Sequence, residues 1–480
     1  MSLKILMVAA ECFPYLKVGG LADVIGALPQ ALRKLGVDVR ILLPGFQSVL
    51  RGLKEGECLR EWPDLMGGGK ARLLRGDGPQ GLPMYVVDIP GFYDGLEGPY
   101  LDRPVLARRF AALSWVAAAV AREGDGAGWK PDLLHAHDWP AGLAPAYLAL
   151  APGPRVPSLM TIHNLAYQGA FPAAAAAEVW LPPEAFAMEG AELNGNLSFL
   201  KAGLYYANKI STVSPTYSRE IRTDSGGRGL GGLLAWRHQD LSGILNGVDQ
   251  GLWNPARSPH VRFPFDLEHL PPRAGNKAAL QEELGLQKDP DAPLLGVVSR
   301  MEVIKGLDLM LANLKRWIEA GGQFVALGSG EPSLEAAFRK TAEAHPGRVG
   351  IRIGYDEPLA HRMFAGVDLF AVPSRSEPCG LTQMYALRYG AVPLVRNTGG
   401  LADTVVDATE ANLKAGTATG IVFENADASA VGEALVRAHT LYQNRQAWEQ
   451  VQHEGMAQDF GWEASARKYL ELFESMMPFT

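Results

Sequence analysis

The chain has 480 residues, 47% hydrophobic and 20% charged, with 45 Lys and Arg against 52 Asp and Glu and a formal net charge of −7. This is a globular composition and excludes a disordered chain, a fibre and a coiled coil. Net acidity argues against a nucleic-acid partner or an anionic membrane surface.

At about 150 residues per domain the length gives about three domains, and two α/β domains of roughly 200–250 residues fit as well. The 54 Gly and 33 Pro show no G-X-Y period and read as tight turns between many short elements. Cys12, Cys58 and Cys379 are far apart and form no CxxC pair. That fits a reducing compartment and opposes a disulfide framework or a structural zinc site. The first apolar run meets Glu11 too soon for a signal segment, and no window holds 18 uninterrupted apolar residues. The expectation is a soluble cytoplasmic protein; its oligomeric state is not readable.

Leu3–Ala10 reads as a buried strand, and Leu21–Leu35 carries apolar residues at helical spacing. Val37–Leu43, Met84–Ile89, Leu133–Ala136, Leu159–His163 and Ile210–Val213 continue the strand series, with helices predicted at Val105–Arg122 and Phe199–Ala207. Ser242–Val248 is a candidate strand beside a domain boundary. The pattern then restarts, with strands at Leu294–Ser299, Phe324–Leu327, Val349–Ile353, Leu369–Val372, Pro393–Val395 and Ile421–Phe423. Helices are predicted at Gly306–Ala320, Leu334–Ala344, Thr382–Tyr389 and Ala428–Tyr442. Strands joined by helical crossovers imply parallel sheets covered on both faces. The reading is α/β, with doubly wound domains over 1–243 and 244–459 and a terminal helical segment, 460–480, packing back on the first.

Such sheets bind ligands at the carboxyl ends of their strands. Lys17-Val18-Gly19-Gly20 follows the first strand and opens the first helix, where backbone N–H groups and the helix N-terminus favour a phosphate. Asp23 lies in that helix's first turn. A tight turn with a solvated lysine is the competing reading. Two other glycine motifs fail on context. Gly227–Gly232 matches G-x-G-x-x-G with no preceding strand and reads as a flexible loop. Gly67-Gly68-Gly69-Lys70 has Asp64 where a phosphate loop needs Gly.

His135-Ala136-His137-Asp138-Trp139 ends a strand with both histidines on one face. No second His pair or acidic cluster completes a metal site, so no metal is expected. A polar strand end for hydroxyls, with Trp139 as a stacking platform, competes with histidines satisfied by backbone carbonyls. Thr161-Ile162-His163-Asn164 ends a strand in the same way. In the second half, Arg300 and Lys305 flank one strand–helix turn, and a guanidinium with an ammonium suits a diphosphate. Glu377 stands in a Pro/Gly-fixed turn before the helix at Thr382, where Gly380, Leu381 and Thr382 offer N–H groups. Cys379 could be a small buried hydrophobe. Thr398-Gly399-Gly400-Leu401-Ala402-Asp403 repeats the layout of Lys17–Asp23.

Taken together, KVGGLADVIGALP at 17–29, HAHDW at 135–139, TIHNLAYQG at 161–169, SFLKAGLYYA at 198–207, LNGVD at 245–249, SEPCGLTQ at 376–383 and TGGLADTV at 398–405 resemble the bacterial glycogen synthase family. The resemblance implies the GT-B fold, two Rossmann-like domains facing across a deep cleft. It also implies retaining transfer of glucose from ADP-glucose to the 4-hydroxyl of an α-1,4-glucan such as glycogen, with no cofactor.

Carried onto matching positions, it implies catalytic roles for His163, Arg300, Lys305 and Glu377. It places Lys17, Gly20, Asn246, Tyr355, Cys379, Gly380, Leu381 and Thr382 at the donor, with Tyr355 on adenine. Asp23, Tyr93, Asp138, Trp139 and Asn164 would line the sugar and acceptor space. Departures from the family pattern are Ser376 before the glutamate, Met301–Ile304 between the two cations, and short stretches after Tyr100 and around Arg262–Pro272. The competing functions are a UDP-glucose-using transferase of the same fold, a non-catalytic glucan-binding relative, and a nucleotide-dependent dehydrogenase. The dehydrogenase reading lacks a G-x-G-x-x-G in the right context.

Overall fold

The structure is a computed structural model that describes residues 2–53, 56–96, 98–101 and 103–477. The chain divides into two compact units, one running to Gly247 and resuming at Trp462, the other spanning Val248–Gly461. The division lies just beyond the 243/244 boundary read from the sequence.

The first unit is built on strands β1 (Lys4–Val8), β2 (Asp38–Pro44), β3 (Glu57–Trp62), β4 (Ala71–Asp77), β5 (Pro83–Asp88), β6 (Leu133–His137) and β7 (Ser158–Ile162). A three-stranded sheet of β8 (Ala170–Pro172), β9 (Glu192–Leu193) and β10 (Asn196–Ser198) follows, and β11 (Lys209–Thr212) and β12 (Leu241–Gly243) return to the main sheet. Among the described residues the main sheet has the order β12-β11-β7-β6-β1-β2-β5-β4-β3. It is parallel except where β4 pairs with β3 and β5. The β3–β4 hairpin escaped the sequence reading because its edge strand, ECLREW, has no apolar run and only partial burial.

β1 is apolar because helices cover both its faces, and Ile5 to Val8 are fully buried. The helix Gly20–Lys34 buries Leu21, Val24, Ile25, Leu28 and Leu32, one side of its 3.6-residue repeat. Against it packs the helix Trp462–Glu474. The candidate strand at Ser242–Val248 is shorter than read, because it ends at Gly243. A Cβ on Gly243 would stand 2.4 Å from the Ser214 carbonyl oxygen, so glycine lets the two segments touch.

The second unit contains β13 (Leu294–Val298), β14 (Gln323–Gly328), β15 (Val349–Ile353), β16 (Leu369–Val372), β17 (Val392–Arg396) and β18 (Ile421–Phe423). Their order is β15-β14-β13-β16-β17-β18, all parallel. This is the doubly wound order with its reversal between β13 and β16, where ligands bind. In the first unit the corresponding reversal lies between β1 and β6. The core under the second sheet joins Leu295, Phe324 and Leu394 to Met310, Trp317, Leu435 and Trp448 of the covering helices. Among the described residues no helix is long and apolar enough to cross a membrane.

Candidate active site

In the first unit the site begins with a residue that motif reading passed over. Glu11 follows β1 and is 3% exposed. Its Oε2 accepts the N–H groups of Val18 (2.6 Å) and Gly19 (3.0 Å), and its Oε1 accepts the Tyr100 hydroxyl at 2.5 Å. Two N–H groups expected to face a phosphate are therefore already bound to a carboxylate. Lys17 and Gly20 remain exposed, and Lys17 Nζ is held 2.8 Å from Asp23 Oδ1. The only sequence signal for Glu11 was a lone carboxylate directly after an apolar strand.

Asp138 directly follows β6 with a positive φ of 54°. Its Oδ1 accepts the backbone N–H of His163 at 2.7 Å and of Asn164 at 3.4 Å, tying β6 to the end of β7. Burial pushes its carboxyl up to about 7, against the pull of those two N–H groups. His135 and His137 touch with ring centroids 3.9 Å apart and planes tilted by 35°. His135 Nε2 lies 2.6 Å from Thr161 Oγ1, which in turn meets Ser211 Oγ at 2.6 Å. His137 Nδ1 lies 2.9 Å from His163 Nε2. The partners are thus side chains, where backbone carbonyls had been one expectation. Burial lowers all three imidazoles, His163 to about 3. Asn246 is buried, and its Oδ1 has no hydrogen-bond partner among the described residues.

Two expectations fail here. Trp139 is only 8% exposed and packs against Tyr100, Phe110, Phe171 and Phe199, so it is a core ring rather than an open stacking platform. Tyr93 is fully buried, donates its hydroxyl to the Arg109 carbonyl and does not line an open sugar site. The rejected glycine runs also have structural roles. Asp64 accepts from the N–H groups of Gly67 (3.1 Å) and Gly69 (2.8 Å), the groups a phosphate loop would offer. Gly227–Leu230 is an ordered turn into the helix Gly231–Trp236. A Cβ on Gly227 would stand 2.3 Å from the Gly231 Cα.

In the second unit the turns after β13, β16 and β17 meet. Lys305 Nζ lies 2.7 Å from Glu377 Oε2, and Ser374 donates to the same oxygen at 2.8 Å. Glu377 is 8% exposed. Arg300 pairs with Glu302 at 2.6 Å and is half-exposed. Arg375 is a bracket that sequence analysis left without a role. It binds both Asp308 carboxylate oxygens at 2.7 Å, and its backbone N–H donates to the Ile304 carbonyl at 2.8 Å.

Glycine permits the approach of these turns. Gly306 has φ 70°, and a Cβ there would stand 1.9 Å from the Pro373 carbonyl oxygen. Gly399 is equally tight against the Glu377 carbonyl, also at 1.9 Å. Gly380 has φ 71°, and Gln383 donates to the Cys379 and Gly380 carbonyls, fixing the turn that ends at Thr382. Cys379 is buried, Leu381 and Thr382 are half-buried, and Tyr355 stands 78% exposed beyond β15. Among the described residues no three His, Cys, Asp or Glu side chains converge as metal ligands would.

Arg300, Lys305 and a fixed carboxylate at the reversal of a doubly wound sheet make a place for a phosphorylated, hydroxyl-rich ligand. Residues 4–236 match the starch synthase catalytic domain family, and residues 292–440 match the family of glycosyl transferases group 1. The chain is 48% identical over 482 residues to a glycogen synthase of Paramagnetospirillum magneticum, covering 99% of this chain and 98% of that one. It is 47% identical over 481 residues to a glycogen synthase of Serratia proteamaculans, covering 99% and 100%. Among solved structures it is similar to the catalytic domain of Starch Synthase IV from Arabidopsis thaliana bound to ADP and acarbose, with a TM-score of 0.87, 32% identity and 99% of each chain covered. The two doubly wound units are those of the GT-B fold, and the chain belongs to the glycogen and starch synthase family of glycosyltransferases.

Proposed function

We propose that the chain elongates glycogen by moving glucose from ADP-glucose to the non-reducing 4-hydroxyl of an α-1,4-glucan with retention at the anomeric carbon. The Lys305–Glu377 pair is the observation that carries this reading: a cation and a carboxylate held 2.7 Å apart beside the sheet reversal. An incoming diphosphate competes with the carboxylate for Lys305, and glucose hydroxyls can take its place at Glu377. The choice of ADP-glucose is supported by the ADP bound to the similar starch synthase.

The bond from C1 to the phosphate oxygen breaks, and a bond from C1 to the acceptor 4-oxygen forms. The acceptor's proton passes to the departing phosphate oxygen. Charge grows on that phosphate, and Arg300 and Lys305 stabilise it, aided by N–H groups at Gly380 to Thr382. This assigns charge neutralisation to side chains, with no cofactor. A covalent route asks for a second carboxylate about 5–5.5 Å from the first in retaining glycosidases. Among the described residues Glu377 is the one candidate read for such a role, so attack from the leaving-group face is the assigned course.

In the second unit Tyr355 is assigned to the adenine, and Cys379 to the wall of the donor site. In the first unit Lys17 and Gly20 are assigned to the donor phosphate side and Asn246 to the donor sugar. His163, Asn164, Asp138 and Asp23 take the glucosyl and acceptor side. The test is glucose incorporation into glycogen from ADP-glucose and, in parallel, UDP-glucose. Lys305→Ala and Glu377→Ala should each lower kcat by about 10²–10³-fold. Incorporation from neither donor sinks the enzyme reading. Preference for UDP-glucose sinks the donor assignment, and full activity in both variants sinks the site.

A further inference from the structure

The hydrogen bond between His137 and His163 has a direction, and the direction decides what His163 offers to a ligand. Positions of heavy atoms alone do not say which ring donates. Burial keeps both imidazoles neutral, so each ring has one N–H and one bare nitrogen. Two arrangements make the 2.9 Å bond from His137 Nδ1 to His163 Nε2. In the first, His137 Nδ1–H donates, and His163 then carries its proton on Nδ1. In the second, His163 Nε2–H donates, and His137 carries its proton on Nε2. Both rings therefore share one tautomer, whichever it is.

The environment of His137 separates the two. Its Nε2 is buried with no hydrogen-bond partner among the described residues. The second arrangement would place an N–H there, and orphaned buried N–H donors are rare in folded proteins. The first leaves only a bare ring nitrogen. A flipped His137 ring would set a carbon against His163 and lose the bond. The His137 ring also rests against His135, which is itself held by Thr161 and backed by Phe473. His163 is half-buried, and its Nδ1 is not a buried atom without a partner. With Nε2 engaged, Nδ1 is the ring atom left for an incoming group.

We propose that His137 is a positioning residue for glucosyl transfer: by donating from Nδ1 it fixes His163 as the Nδ1–H tautomer, so that His163 presents an N–H, not a lone pair, to a hydroxyl oxygen of the sugar. This rests on the functional reading above. The test begins with the unaltered full-length chain carrying ¹⁵N-histidine, its 10 histidines resolved in a long-range ¹H–¹⁵N spectrum at pH 7. The His137 and His163 signals are identified by their loss in His137→Phe and His163→Ala. Both rings should show a protonated Nδ1 and a bare Nε2; protonated Nε2 in both overturns the proposal.

The kinetic arm compares His137→Phe, which keeps the ring shape without the donor, with His137→Asn, whose amide can donate from near the Nδ1 position. His137→Phe should lower kcat by about 10–100-fold with the donor KM within about twofold. His137→Asn should stay within about fivefold of the parent chain. Equal loss in both, or none in His137→Phe, overturns the positioning role. If His137→Phe fails to fold, His137→Asn supplies the signal assignment instead, and the tautomers of the parent chain decide. Nδ1–H rings in a chain that transfers no glucose would break the functional reading alone, whereas Nε2–H rings in an active chain would break this assignment alone.

Discussion

The two units order the ends of their parallel sheets, where such folds bind ligands, with different local chemistry. In the first, buried polar groups do the ordering. Glu11 occupies the N–H groups of Val18 and Gly19, Asp138 joins β6 to β7, and three neutral imidazoles touch in a row. In the second, backbone lies directly on backbone. Gly306 touches Pro373 and Gly399 touches Glu377, with the charges carried at the edge by Lys305, Glu377 and the Arg375–Asp308 bracket. A site ordered by hydrogen bonds should fail through pH and charge changes. One ordered by close backbone contact should fail through added volume.

The most disruptive test of this contrast is Gly306→Ala. It demands a left-handed alanine and a Cβ 1.9 Å from a backbone oxygen, so the turn must move. A loss of about 2–4 kcal/mol of stability is expected, read by denaturant unfolding, together with loss of glucosyl transfer. An unchanged midpoint would show that the second unit's turns are not packed as described.

Glu11→Ala should come next. It leaves two N–H groups and the Tyr100 hydroxyl without their acceptor, at a cost of about 1–3 kcal/mol. The first turn would loosen, raising KM for the sugar nucleotide. An unchanged KM would sever that turn from donor binding.

The third test is a pH slope. Asp138 is pushed from 3.8 to about 7, so between those values the folded chain binds more protons than the unfolded one. Stability contributed by this group is therefore present below about pH 4 and declines as pH rises toward 7. Asp138→Asn keeps an acceptor for His163 and cannot ionise, so it should remove that decline. Parallel stability–pH curves for the two chains would break the assignment.

The sequence was most legible where side-chain pattern and backbone role coincide. β1 and the helix Gly20–Lys34 declare themselves because every inward position is apolar. The helix Arg273–Glu283 was missed because it turns Arg273, Asn276, Lys277 and Gln281 inward. Lys277 is buried against the Pro290 and Ala292 carbonyls and Asp368, partners far along the chain that no local pattern displays. In the site, Lys305 and Glu377 were legible as charged residues beside glycine turns. Tyr93 and Trp139 were misread because residue type does not reveal depth. Ser374 and Arg375 were missed because their roles depend on partners from a different turn or on a neighbouring carboxylate's orientation.

The helix Trp462–Glu474 lies on the helix Gly20–Lys34, and its Tyr469 and Phe473 rings back His135. During synthesis the first unit therefore waits for its final piece until residues 248–461 have been added. At about 5–20 residues per second that interval is roughly 10–40 s. Over that interval the nascent chain leaves uncovered the ring of His135 and the side of its first helix on which the last helix packs, and at its end the second unit can close on itself while the first still waits. The order of completion on the ribosome is thus the reverse of the order in the sequence.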